Sequence, residues 1–245
     1  MATIVTAFIT KINNIDFRSY EKYIELGKKL LKQAIPTVCF LEKAIYRQYF
    51  EPELSQFPLT TFRTFERTDI YLYEYESQLT DFHVMTDNET KDTPGYMFIQ
   101  CHKTEWVHMA IEENPYQTTN FVWIDFGIFH MIKDDVSFAV ALKNLSRKTY
   151  DSIRIASCVD PNMISYDKNI YREIAWYFAG SIFGGHKDSL TEFAKQMKTT
   201  CIHLIETKKH IMWEVNVWYL IFQKHKTLLF DPYRADHNIS ILDNY

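Results

Sequence analysis

Apolar residues recur along this chain in short unbroken runs, separated by longer stretches with helical spacing. That alternation is the mark of a mostly parallel sheet with helical crossovers. Thr3 to Ile9, rich in β-branched and apolar side chains, predicts a first, central strand. A helix is expected from about Phe17 to Gln33, its apolar stripe made by Tyr20, Tyr23/Ile24, Leu26/Gly27 and Leu30/Leu31. Pro36 ends it, and Thr37 to Leu41 reads as a second buried strand. From Phe50 to Thr93 the pattern is broken by Pro52 and Pro58. Asp69 to Tyr75 fits strand or helix, and Asp87 to Thr93 is polar and expected as loop. Thr93-Pro94 reads as an N-cap followed by proline at the first helical position, with a helix to about Glu113. Phe121 to Ile124 is a continuous apolar run, as in a strand buried on both faces. A helix over Asp134 to Lys148, a strand over Ser152 to Ser157 and an aromatic strand from Trp176 follow. Next come a helix from Asp188 to Glu206 and an almost wholly apolar helix from Met212 to Phe222. The expected fold class is α/β.

At 245 residues the chain is long enough for one large core. Its 47% hydrophobic and 24% charged residues are ordinary for a water-soluble protein. A net charge of −4 without a dense Lys/Arg cluster gives no reason to expect a nucleic acid partner. Cys39, Cys101, Cys158 and Cys201 lie far apart among apolar neighbours and read as reduced core residues, which fits a cytoplasmic location. Met1 to Thr10 is too short and lacks the basic lead of a signal peptide, and no run approaches the roughly 20 apolar residues of a spanning helix. Six glycines in the whole chain make each worth reading singly.

Candidate chemistry gathers at a few positions. Asp125 follows the apolar run at once, where strand ends open onto a ligand crevice, and Gly127 allows a turn or a close backbone approach. It serves a ligand or metal there, or caps the next turn. Lys103 falls on the buried side of its helix, between Ile99 and Trp106. Either its stem reaches out to water or it meets an anionic ligand near Asp125. Gly180, Gly184 and Gly185 flank the aromatic strand, marking a close approach or a plain turn. Glu214 and Asn216 are the polar members of the apolar helix. A carboxylate there is paired, functional, or a complement to the helix dipole. Asp236-His237-Asn238 sets three possible ligands side by side, or forms a solvated tail. The aromatics of Tyr46 to Phe65 are expected to be exposed, as an acceptor groove or a dimer contact.

In order along the chain, several stretches resemble the HtrL/YibB (WlaTC-like) family of GT-A-type nucleotide-sugar glycosyltransferases. They are Val5-Thr6-Ala7-Phe8, Pro36-Thr37-Val38-Cys39-Phe40-Leu41-Glu42, Lys103-Thr104-Glu105-Trp106, Trp123-Ile124-Asp125-Phe126-Gly127-Ile128, Phe183-Gly184-Gly185, Trp213-Glu214-Val215-Asn216 and Asp236-His237-Asn238. A more distant likeness ties Ala179 to Gly185, followed by Trp213-Glu214, to retaining blood-group-type transferases. Another ties Lys103 and His237 to glycogenin-like transferases. The resemblance implies a single GT-A-like domain over residues 1–245, with 1–130 as the nucleotide-binding half and 131–245 as the acceptor and catalytic half. It implies a UDP-linked sugar donor and a glycan acceptor. It places Thr6, Ala7 and Phe8 beside the base, Lys103 on the phosphates, and Gly184 and Gly185 against donor or acceptor. Glu214, with Asn216, takes the catalytic position, retaining slightly favoured over inverting. Mn²⁺ or Mg²⁺ is expected on Asp125, His237 and Asp236, although Asp125-Phe126-Gly127 carries glycine where the family's Asp-x-Asp motif has its second carboxylate. A nucleotidyltransferase is the rival enzyme class, but Lys11-Ile12-Asn13-Asn14 lacks the glycine-rich loop such an enzyme places after its first strand. A catalytically degenerate module that binds a glycan or a protein is the rival of another kind.

Overall fold

Thr3–Phe8 forms strand β1, with parallel neighbours on both sides in the computed structural model, which describes residues 1–9, 19–86, 88–131, 134–159 and 169–245. β2 (Thr37–Leu41) pairs through Val5 and Val38, and β4 (Asn120–Ile124) through Val5 and Trp123. Outside β2 lies β3 (Thr60–Thr64); outside β4 come β6 (Phe178–His186), β5 (Ile153–Ser157) and β7 (Phe230–Arg234). The sheet order is β3-β2-β1-β4-β6-β5-β7, and β6 alone runs against the others. This is the mostly parallel α/β sheet that the alternation predicts.

Alternate residues of β4 divide the core. Phe121 and Trp123 enter one apolar cluster, while Val122 and Ile124 enter the other. The first is covered by α2 (Pro94–Cys101), α3 (Lys103–Glu113), α5 (Lys187–Lys208) and α6 (Glu214–Lys224). The second is covered by α1 (Tyr20–Leu31), α4 (Asp135–Arg147) and the short α7 (Ser240–Asp243). Trp106 stacks on Trp123 with ring centres 5.7 Å apart and planes 9° apart, locking α3 onto β4. Such burial is worth about 1.5–3 kcal/mol for each large apolar side chain. No helix among the described residues is long and apolar enough to cross a membrane.

Local signals place several boundaries. Thr93 caps α2 by accepting from the Tyr96 N–H, and Asp134 caps α4 by accepting from Val136 and Ser137. The expected start of α1 at Phe17 lies outside the described residues; Ser19 is its cap. Elsewhere the structure departs from the sequence pattern. The helix expected from Pro94 to Glu113 is broken at His102, whose N–H is shared between the carbonyls of Phe98 and Ile99. Phe230–Arg234, for which no strand is expected, pairs with β5 at the sheet edge, and only beyond it are Asp236, His237 and Asn238 exposed. The aromatics between Tyr46 and Phe65 are not an open surface. Phe50, Phe57 and Phe65 are buried, and Phe50, Phe57 and Phe62 pack on one another beside Phe126. Cys39, Cys101 and Cys201 are buried thiols as expected, but Cys158 is only half-buried.

The break at His102 carries a pH signature. The ring is 1% exposed, packed by Phe65, Tyr71 and Trp106, and neither nitrogen has a partner. Burial, with Lys198 adding to it, lowers its pKa from 6.5 to about 3. Below pH 6.5 the unfolded chain therefore binds one more proton than the folded one. Stability is expected to fall by about 1.4 kcal/mol per pH unit as pH drops from 6.5 towards 3. Urea titrations at pH 7, 6 and 5 measure this, and His102→Phe is expected to flatten the slope by that amount.

Candidate functional site

The carboxyl end of β4, the amino-terminal half of β6 and the first turns of α3 and α6 meet around one ammonium group. Lys103, 4% exposed at the start of α3, lies 3.0 Å from Asp125 Oδ1, 3.0 Å from Glu214 Oε1 and donates to the Gly180 carbonyl at 3.0 Å. A primary ammonium has three N–H groups, and here each has an acceptor. Burial alone would lower the Lys103 pKa, but the charges of Asp125 and Glu214 and their hydrogen bonds outweigh it, and the net shift is upward. Asp125 Oδ1 also accepts from the Trp123 indole N–H at 2.8 Å, while the Asp125 side chain keeps 37% of its surface open.

Glu214 is 2% exposed, at the amino end of α6, where a negative charge also suits the helix dipole. One oxygen is held by Lys103; the other, Oε2, is buried without a hydrogen-bond partner. An orphaned carboxylate oxygen in such a place costs free energy unless something else meets it. Tyr96 sits by the same charges: burial first, then Glu214, Asp125 and Tyr23, push its phenol well above the ordinary range.

Gly180 is what lets this set close. A Cβ there would fall inside contact distance of Glu214 Oε1 and 3.4 Å from Lys103 Nζ. Gly180→Ala is therefore expected to displace the Glu214 carboxylate and lower stability by about 1–3 kcal/mol. Thermal unfolding beside a crystal structure of the variant would check this; an unmoved Glu214 would contradict it.

The other sequence-predicted residues lie elsewhere. Gly184 and Gly185 are four and five positions beyond Gly180 along β6, paired with Val122 and Phe121. Because β6 is antiparallel to β4, they sit towards the start of β4, away from Asp125. A Cβ on Gly184 would run into Tyr245 and the Phe121 carbonyl, and one on Gly185, at φ +149°, into Ser152. They are packing positions inside the sheet, not a surface for donor or acceptor. Asn216, 1% exposed, donates to the carbonyls of Ile170 (2.7 Å) and Glu173 (2.6 Å) and accepts from the Ala175 N–H (3.0 Å), so both ends of its amide hold the chain that leads into β6. Thr6 is fully buried with its hydroxyl unpartnered, and beyond Ala7 the Phe8 ring stacks on Phe126 (5.0 Å, 8°) and Tyr23 (5.6 Å, 27°). Asp236 faces Arg234 at 3.5 Å. His237 lies 3.9 Å from Cys158 Sγ and edge-on to the Trp176 ring at 5.2 Å.

Lys103, Asp125 and Glu214 are thus brought together, whereas Asp125, His237 and Asp236 are not assembled as a cation site. Among the described residues no three His, Cys, Asp or Glu side chains converge to hold a metal ion. Where such an ion would draw on Asp125, the ammonium of Lys103 already occupies one oxygen, and a dication beside it would meet like charge. The residues present do not fit the metal set expected from the sequence. Sequence reasoning offered Gly180 as a close approach or a turn, which the structure shows to be a close approach to Glu214, and missed the Trp123 indole and Tyr96 as members of the site. An indole and a phenol carry no signal of partnership in the sequence.

Residues 63–236 match the profile of a family described as "Bacterial protein of unknown function (HtrL_YibB)". No curated protein sequence matches the chain. Among solved structures, mouse xyloside xylosyltransferase 1 in its apo form is similar at 8% identity and a TM-score of 0.44, covering 94% of this chain and 84% of that one. The Rv0371C complex with manganese from Mycobacterium tuberculosis H37Rv is similar at 8% identity and 0.45, covering 96% and 89%. HddC from Yersinia pseudotuberculosis is similar at 10% identity and 0.41, covering 96% and 90%.

Proposed function

The chain belongs to the HtrL_YibB family, and we propose that it is a glycosyltransferase that moves a sugar from a nucleotide-diphosphate donor, UDP-linked, to a glycan acceptor. The observation that carries this reading is the buried Lys103–Asp125–Glu214 set at the carboxyl end of β4, with Glu214 Oε2 left without a partner. Ligands of α/β sheets bind at that end of the strands, and a buried charged group with a free acceptor atom is costly unless chemistry uses it.

In this reading Glu214 Oε2 faces the reacting centre. It attacks or stabilises the anomeric carbon if the configuration is retained, or takes the proton of the acceptor hydroxyl if it is inverted. Lys103 is a positioning residue, fixing Glu214 Oε1 so that Oε2 is aimed. Asp125, with its open surface, faces the donor. The stack of Phe8, Tyr23 and Phe126 at the end of β1 supplies flat apolar faces for a base. Asn216, assigned above as catalytic, acts instead through the segment it holds.

A second reading has one observation in its favour. All three Lys103 N–H groups are engaged within the protein, so none is left for a diphosphate. That suits a binding module that has lost transfer. Thermal unfolding with UDP-, GDP- and TDP-sugars, with and without Mn²⁺, separates the two, since a ligand that binds only the folded state raises the melting temperature. The transferase reading expects at least one donor to raise it by several degrees and to release its nucleoside diphosphate when acceptor is added. Mn²⁺ alone is expected to leave it within about a degree, given the ligand set described. No shift with any donor, metal present, would favour the binding module.

A further inference from the structure

A second ligand surface lies one ring away from Glu214. All five tryptophans of the chain are described, and four are buried: Trp106 (1% exposed), Trp123 (2%), Trp213 (7%) and Trp218 (0%). Trp176 is 40% exposed. Its backbone sits at φ +52°, a left-handed conformation that a bulky side chain adopts only when its surroundings impose it. What imposes it is visible: Asn216 ties down Ile170, Glu173 and Ala175 immediately before it, and Phe178 enters β6 just after it. A strained aromatic held out into solvent at such cost is not explained by core packing.

Its neighbours define a corner. The exposed His237 ring stands against the Trp176 ring at 82°, with centres 5.2 Å apart. On the inner side Trp213, the residue before Glu214, lies 6.4 Å away at 48°, and Tyr96 follows at 5.2 Å from Trp213. The Trp213 indole N–H is buried and has no partner. An open indole face with an exposed imidazole at right angles to it is what a pyranose needs. The ring's C–H face packs on the indole, and hydroxyls at its rim meet the His237 imidazole.

We propose that Trp176 and His237 form a saccharide-binding corner for a neutral pyranoside, seating the acceptor end of a glycan beside Glu214. The assignment of this sugar as acceptor rests on the transferase reading; the binding of a sugar at the corner does not. Asn216 is then a positioning residue for the platform, which accounts for its three hydrogen bonds at a site where no reacting atom touches it.

The test uses the full chain without donor. Trp176 is the solvent-exposed indole, so a sugar stacked on it shifts its emission to the blue. Wild-type protein is titrated with lactose, N-acetyllactosamine, chitotriose and maltotriose, and heat of binding is measured in parallel. At least one sugar is expected to give a saturable blue shift. Trp176→Ala should weaken its binding tenfold or more and Trp176→Phe by less. His237→Ala should weaken it several-fold, each variant keeping the wild-type far-ultraviolet dichroism. Donor affinity, read by the thermal shift described above, should stay within twofold in Trp176→Ala. The proposal is overturned if no sugar binds the wild type, if Trp176→Ala binds as tightly as wild type, or if it loses donor and saccharide together. Should sugars bind at Trp176 while every nucleotide-sugar fails, the corner stands and the transferase reading falls.

Discussion

Lys103→Met is expected to lower the unfolding free energy by roughly 3–5 kcal/mol, the usual cost of removing one partner from a buried ion set. The methionine keeps most of the stem's volume, so packing is nearly conserved. What is lost is, among the described residues, the only cation within hydrogen-bond distance of Glu214, which is 2% exposed and already has one oxygen unpartnered. Asp125 suffers less, because its side chain is 37% open to water and the Trp123 N–H remains. Urea denaturation at pH 7.5 measures the cost. Neutralising the whole set, Lys103→Met with Glu214→Gln and Asp125→Asn, should recover a large part of it, since no uncompensated charge stays buried. A single variant as stable as wild type would mean that water reaches the carboxylates and the set is not buried in solution. The pH dependence follows from the upward shift of Lys103. Its folded pKa lies above the 10.5 of the free side chain, so this stabilisation is fully present below pH 10.5 and is lost as pH rises through the folded value. Between pH 7 and 9 the difference between wild type and Lys103→Met should be constant.

The second large effect is on turnover. Glu214→Gln keeps the shape of the side chain and its contact with Lys103 but removes the charge that the reacting centre requires. Transfer is expected to fall by about 10²–10⁴-fold, the range associated with a single acid–base or nucleophilic group. Donor affinity should change little. Nucleoside diphosphate release with acceptor present gives the rate, and calorimetric titration of the donor gives the affinity. If both fall in proportion, Glu214 is a structural partner of Lys103 and the chemistry lies elsewhere. Gly180→Ala provides an internal comparison, since it moves the same carboxylate sterically while leaving its charge.

The local sequence determined the elements. Ser19, Thr93 and Asp134 cap helices, and the runs at Thr3, Thr37 and Phe121 are strands, because capping chemistry and apolar period act over a few residues. It also singled out Lys103 and Glu214, each as a charge at a position where a lone charge is expensive, and Asp125 as the carboxylate at the end of a buried strand. Their mutual pairing was not legible, since the three are contributed by α3, the end of β4 and α6, and nothing local says that these ends coincide. Tertiary structure decided that by bringing the first turns of α3 and α6 to the carboxyl end of β4, and the reversed direction of β6 decided which glycine lies there. The reversal sets Gly180 beside Glu214 and Lys103 and carries Gly184 and Gly185 towards the start of β4. The parallel pairing of β5 with β7 left His237 beside Cys158, where it meets Trp176. Strand direction depends on long-range pairing between segments whose own hydrophobic pattern is the same either way, so period and composition fix what each stretch becomes, and only the assembled sheet fixes which side chains meet.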